Sequence, residues 1–175
     1  MRKRKPTPLD FEVDKLTNSI ENILTGEVFD TEIVRLINND SRQIKKSDWQ
    51  FDWLKELNNA TKEIYKLTTV NNPTIIQGLI SIEDRRDHIF IHLIESAIFN
   101  VGREKIYFGV PANLVAFACK ISFDKGYEGN VSFIAKTVLK QHYQETLGAK
   151  VLYADTMLIE TAPAHKLINK YFFNK

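Results

Sequence analysis

The chain has 175 residues, with 24 lysines and arginines against 22 acidic residues and a formal net charge of +2. That length suits one domain that buries its core without metals or disulfides, and the single cysteine, Cys119, excludes an intramolecular disulfide and fits a reducing, cytoplasmic compartment. The charge is too near balance to argue for nucleic acid, and no apolar run reaches the roughly 18 residues that span a bilayer, so neither partner is expected. Residues 1–10 carry Arg2, Lys3, Arg4 and Lys5 ahead of Pro6 and Pro8 and read as a basic, flexible tail, with a single domain over residues 11–175. No apolar stretch follows these charges, so the start is not a secretory signal. Residues 11–23 fit two readings. Val13, Leu16, Ile20 and Ile23 fall near helical spacing, while Phe11 and Val13 alternate as in a strand. Residues 29–37 alternate and predict a strand. Ser47 and Asp48 are suitable caps for a helix carrying Trp49, Trp53, Leu54 and Leu57, ending at Asn58-Asn59.

Three strand-like runs come next, over residues 63–70, 74–83 and 88–98. A turn at Asn71-Asn72-Pro73 and a charged turn at residues 84–87 separate them, as in an antiparallel meander. The period then changes. Leu114, Val115, Ala118, Cys119 and Phe123 recur at three and four, predicting a helix over residues 112–123 that Gly126 terminates. A short strand over residues 130–135 precedes a second helix, carrying Leu139, His142, Tyr143 and Leu147 and ending at Gly148. A strand over residues 151–160 and a closing helix over 161–172, with Pro163 in its first turn, complete the chain. A meander that passes through a helix to a parallel strand predicts a mixed α/β sheet.

The stretch NVGREKIYFGVPANLVAFACKISF, residues 100–123, is the most informative. A strand ends, a loop carries Gly102, Arg103, Lys105 and Gly109, and a helix begins. A helix start with outward N–H groups, a positive dipole end and nearby cations suits an anion. The same pattern also describes an ordinary strand-to-helix turn. No spacing of histidine, cysteine and carboxylate suggests a metal, and Cys119 in mid-helix reads as a small buried hydrophobe.

From His88 onward the sequence resembles the GNAT N-acetyltransferase family. IFIHLIESAIF resembles that family's central strand. KIYFGVPANLVAFACKISFDKGYEGNVSFIAK resembles its phosphate loop, long helix and following strand, and HYQETLGAKVL its Tyr-plus-Leu-Gly segment. The resemblance implies a mixed, mostly antiparallel sheet with one central parallel, splayed strand pair and helices on both faces. It implies acetyl-CoA as co-substrate, with the pantetheine arm between strands 88–100 and 130–135 and the pyrophosphate on the helix start. The residues so assigned to the cofactor are Ser96, Ile98, Arg103, Lys105, Gly109, Val110, Ala112, Asn113, Leu114 and Lys136. Two departures stand in the phosphate loop. Pro111 takes the second small position, and Ile106 stands where Gln or Arg is usual. Pro111 has no N–H to give a phosphate.

The reaction so implied is acyl transfer from a thioester to an amine, in a ternary complex. Tyr143 falls where the family's proton donor to the leaving thiolate lies. Glu95, in an apolar strand, is the best carboxylate for the base. His92 lies three residues away, so alternation puts it on the opposite face unless a bulge intervenes, as it does in the family. The partner expected is a small-molecule or peptide amine, and the chain is expected to be a monomer or homodimer. Two other readings stay open: the same fold used for binding or regulation without transfer, and a nucleic-acid accessory role for the basic start.

Overall fold

The computed structural model describes residues 6–17 and 19–173. The basic residues Arg2 to Lys5 lie outside them. A seven-stranded sheet runs through the molecule. Its strands are β3 (Thr31–Leu36), β4 (Glu63–Thr69), β5 (Gly78–Asp84), β6 (Ile89–Ser96), β8 (Val131–Ile134), β9 (Lys150–Tyr153) and β10 (Thr156–Ile159), in the spatial order β3-β4-β5-β6-β8-β10-β9. Every neighbouring pair is antiparallel except β6 and β8. A small second sheet, β2-β1-β7, joins β1 (Ile20–Asn22), β2 (Val28–Phe29) and β7 (Tyr107–Phe108).

The helices are α1 (Trp53–Leu57), α2 (Val110–Asp124), α3 (Lys140–Leu147) and α4 (Thr161–Ile168). They cover both faces of the large sheet, because its strands alternate sides. Leu36, Ile64, Leu79 and Leu93 pack with Ile44 and Trp53 on the α1 side. Leu67, Ile80, Ile82, Ile91 and Ile94 pack with Val115, Ala118 and Cys119 of α2 on the other, joined by Ala164 and Leu167 of α4. Gly78 lets β5 approach α2, since a Cβ there would meet Val110 Cγ1 at 2.7 Å. This is the mixed sheet with one parallel pair that the sequence implies.

Three local expectations differ. Trp49 lies outside α1, whose cap is Asp52, accepting from Lys55 N at 3.2 Å, not Ser47 or Asp48. Residues 151–160 form a hairpin, not one strand. Ala154 at φ 46 turns the chain between β9 and β10, a backbone that the apolar pattern of the segment does not announce. The segment over residues 11–17 is extended and belongs to no strand or helix, and Leu9, assigned to the tail, is 3% exposed and bridges Ala135.

Two irregularities shape the centre of the large sheet. The register of β5 against β6 slips between Ser81 and Ile82, leaving His92 as the extra residue of a bulge. His92 and Glu95 therefore both turn to the α1 face, His92 to Glu83 at 2.8 Å and Glu95 to the residues before α1. The second is that β6 and β8 pair only at Ile89–Val131, Phe90–Ser132 and Ile91–Phe133, while β6 continues to Ser96. Phe133, fully buried, packs edge-on against Tyr143 of α3 with ring centroids 5.5 Å apart, at the mouth of that opening. Phe133→Ala should lower unfolding stability by about 3–5 kcal/mol, the usual cost of removing a buried aromatic, read by denaturant titration.

Candidate functional site

Parallel pairing that stops short leaves a wedge between the last residues of β6 and β8, and the helix that joins them begins beside it. Gly109 caps α2 at φ 93, in the left-handed region. Asn113 N bonds to Gly109 O at 3.0 Å as the first helical bond, so the N–H groups of Val110 and Ala112 lie in the turn that helices leave without internal partners. Pro111 contributes none. Val110, Ala112, Asn113 and Leu114 are buried. Asn113 Nδ2 donates to Thr31 Oγ1 at 2.9 Å, and its Oδ1 is buried without a hydrogen-bond partner among the described residues.

Residues 6–17 run through this wedge. Leu9 N donates to Ile134 O at 2.6 Å and Lys136 N donates to Leu9 O at 3.1 Å, which makes Leu9 a one-residue parallel strand on the edge β6 has left. Tyr143 Oη donates to Phe11 O at 2.6 Å, and Val13 N donates to His142 Nε2 at 2.8 Å. Asp14 accepts from Gly109 N at 3.1 Å and from Lys105 Nζ at 3.1 Å, so a carboxylate sits at the start of α2. Asp10 pairs with Lys136 at 2.9 Å. Thr17 packs so tightly on the loop that a Cβ at Gly109 would collide with its Oγ1. Leu9 and Val13 are buried, worth about 1.5–3 kcal/mol each. Ordering each residue of an extended segment costs about 1–2 kcal/mol of backbone entropy, the same order as such contacts return.

The assigned residues thus divide. Gly109, Lys105, Lys136 and Tyr143 all contact residues 6–17 in the wedge. Ser96 and Ile98 line the cleft beside it, Ile98 being 82% exposed. Arg103 is exposed in the loop before β7 and contacts none of these groups in the structure. Tyr143 is fully buried between Phe11, Phe133 and His142. Burial, with the charges of Asp10 and Glu12 behind it, raises its phenol pKa well above the ordinary value, so the hydroxyl keeps its proton.

Beside the strap a cleft of about 640 Å³ opens between the end of β6 and the loop before α1. Its wall carries Asp10, Glu12, Asp14, Asp48 and Glu95 against one cation among the described residues, Lys105, with Phe11, Trp49 and Phe51 as apolar panels. Glu95 faces this cleft, but its carboxylate holds the wall in place. It accepts from Gln50 N, from Phe51 N at 3.2 Å and from Trp53 Nε1 at 2.6 Å. A carboxylate that accepts three donors is fixed in place by them, so the base role read from sequence is set against an anchoring role that the sequence did not suggest. Trp53, 1% exposed, gives its ring nitrogen to Glu95 and to no other group among the described residues.

No family profile matches the sequence, and no curated protein does. Solved structures do. AtaTR bound with AcCoA superposes with a TM-score of 0.50 over 79% of this chain and 98% of that one, at 14% identity. KacTA in complex with DNA superposes with a TM-score of 0.50 over 79% and 98%, at 11% identity. Nourseothricin acetyltransferase superposes less well, with a TM-score of 0.47 over 74% and 97%, at 13% identity. At such identities the likeness concerns the fold, and the chain has the GNAT fold.

Glu95→Gln places an amide N–H₂ among three donors. It should cost about 1–3 kcal/mol through the donors left without an acceptor, with a red-shifted tryptophan emission as Trp53 loosens. Unchanged stability and emission would leave Glu95 without the anchoring role.

Proposed function

We propose that the protein is an acyl-CoA-dependent N-acyltransferase that uses acetyl-CoA and a positively charged amine as substrates. The observation that carries this reading is that the β8 edge of a parallel-strand wedge, the start of α2 and a buried, protonated Tyr143 all meet the one segment of residues 6–17. Gly109, the backbone of Val110 and Ala112, Lys105 and Lys136 would hold the pyrophosphate end, because a dipole end and two cations favour an anion. The β8 edge at Ile134 and Lys136 offers a backbone acceptor and donor to an amide-bearing arm. The wall of Asp48 and Glu95, which lies outside residues 6–17, would gather a cationic amine by charge.

The chemistry balances simply. The amine loses a proton to the acidic wall or to water and attacks the thioester carbon; the C–N bond forms and the C–S bond breaks. The thiolate takes its proton from Tyr143, whose raised pKa keeps that proton available at neutral pH. In this reading Glu95 positions the acceptor wall through Trp53. A second reading, the same fold working by binding alone, has Pro111 and the filled wedge in its favour. Acetyl-CoA consumption separates the two.

Release of CoA thiol at saturating acetyl-CoA, across a panel of polyamines, aminoglycosides and lysine peptides, tests the proposal. At least one cationic amine should accelerate release. Tyr143→Phe should then lower turnover about a hundredfold, the scale of general acid catalysis, without weakening acetyl-CoA binding. A folded protein that releases no thiol with any amine contradicts the transferase reading.

A further inference from the structure

Resting on the acyl-CoA reading of the wedge, we propose that residues 6–17 are an intramolecular competitor of the acyl-CoA: a strap that occupies the groove and must lift before the ligand can bind. Gly109, Lys105, Lys136, Tyr143 and the Ile134 carbonyl, all assigned to the reaction, are already engaged by the strap. Leu9 takes the backbone acceptor at Ile134 and the donor at Lys136. The Asp14 carboxylate holds Gly109 N and Lys105, where a pyrophosphate would sit. Asp10 neutralises Lys136, and the Phe11 carbonyl takes the proton of Tyr143. The strap thus presents an extended backbone, two carboxylates and a carbonyl to the groups that would receive the amides, phosphates and acyl oxygen of the ligand.

Occupancy is exclusive. With Thr17 Oγ1 so close to Gly109 that even a Cβ would collide with it, strap and ligand cannot share the start of α2. The strap is also tethered. Its C-terminal end runs into β1, which pairs with β7 through Glu21–Phe108 and Asn22–Tyr107. That pairing survives when residues 6–17 leave the groove, so the strap remains a competitor at an effective concentration of about millimolar. The observed acetyl-CoA affinity is then the intrinsic affinity reduced by the fraction of molecules with the strap lifted, which sets a threshold concentration for activity.

The test is acetyl-CoA titration by calorimetry on the full chain, on Asp14→Ala and on a chain lacking residues 1–12, with hydrogen exchange at Leu9 and Val13 followed in the full chain. Asp14→Ala cuts the strap from the helix start while leaving its apolar contacts, so it serves if the deletion does not fold. The variants should bind acetyl-CoA about tenfold or more tightly than the full chain, and saturating acetyl-CoA should abolish protection of the Leu9 and Val13 amides. Equal affinity in the full chain and the variants, with those amides still protected, overturns the strap and leaves the acyl-CoA reading standing. Folded variants that bind no acetyl-CoA overturn the acyl-CoA reading, and the strap's competitive role falls with it.

Discussion

The structure depends on a parallel pairing that ends early. Backbone donors and acceptors inside a protein must find partners, and β6 and β8 provide them to one another only as far as Ile91 and Phe133. Beyond that point Ile134 O and Lys136 N still face the side β6 has vacated, while Ala135 N turns the other way to Asp155 O. An edge of this kind, in the middle of a sheet and between two helices, has to be filled by something extended. Leu9 fills it here. The chemistry of the wedge and the placement of the first residues of the chain are therefore one question.

The electrostatics arise from the same geometry. The crossover from β6 to β8 is a helix, and its start comes to rest beside the wedge because connections of this kind are short and right-handed. A helix start carries about half a positive charge, and Lys105 and Lys136 stand near it. The strap answers with Asp14 and Asp10. On the acceptor side the sign reverses, since Asp48 and Glu95 face a cleft whose one cation among the described residues is Lys105. A positive pole for an anionic ligand beside a negative wall for a cationic one suits a two-substrate site, and the buried Tyr143 lies where the two regions meet.

The periodic elements were legible in the sequence because their partners lie close or their faces are uniform. The alternation of β4 to β6 and the three-and-four spacing of α2 each report a single buried face. The resemblance from His88 onward located Gly109, Lys105 and Tyr143, and the structure brings them to one wedge. The strap left no comparable signal. It pairs through one residue, its hydrogen bonds reach partners such as His142 and Tyr143 far along the chain, and its proline-flanked, charged sequence resembles that of a solvated tail. Glu95 illustrates a different limit. Its strand position was readable, but the three donors that meet it come from Gln50, Phe51 and Trp53, a loop whose conformation no periodicity encodes. Trp49 and Trp53 share helical spacing, yet Asp52 caps the helix only after Trp49 has passed. What placed the α1 face correctly was the bulge at His92, which the resemblance anticipated and strict alternation would have missed.

The central claim is that the opening between β6 and β8 is an acyl-CoA groove. The most direct measurement is a crystal structure grown at saturating acetyl-CoA. The account predicts phosphate density against Gly109, Val110 and Ala112 beside Lys105, an extended arm bonded to Ile134 O and Lys136 N, the thioester sulfur within hydrogen-bond reach of Tyr143 Oη, and residues 6–17 displaced. Acetyl-CoA bound elsewhere on the surface, with no ligand density between β6 and β8, would contradict it.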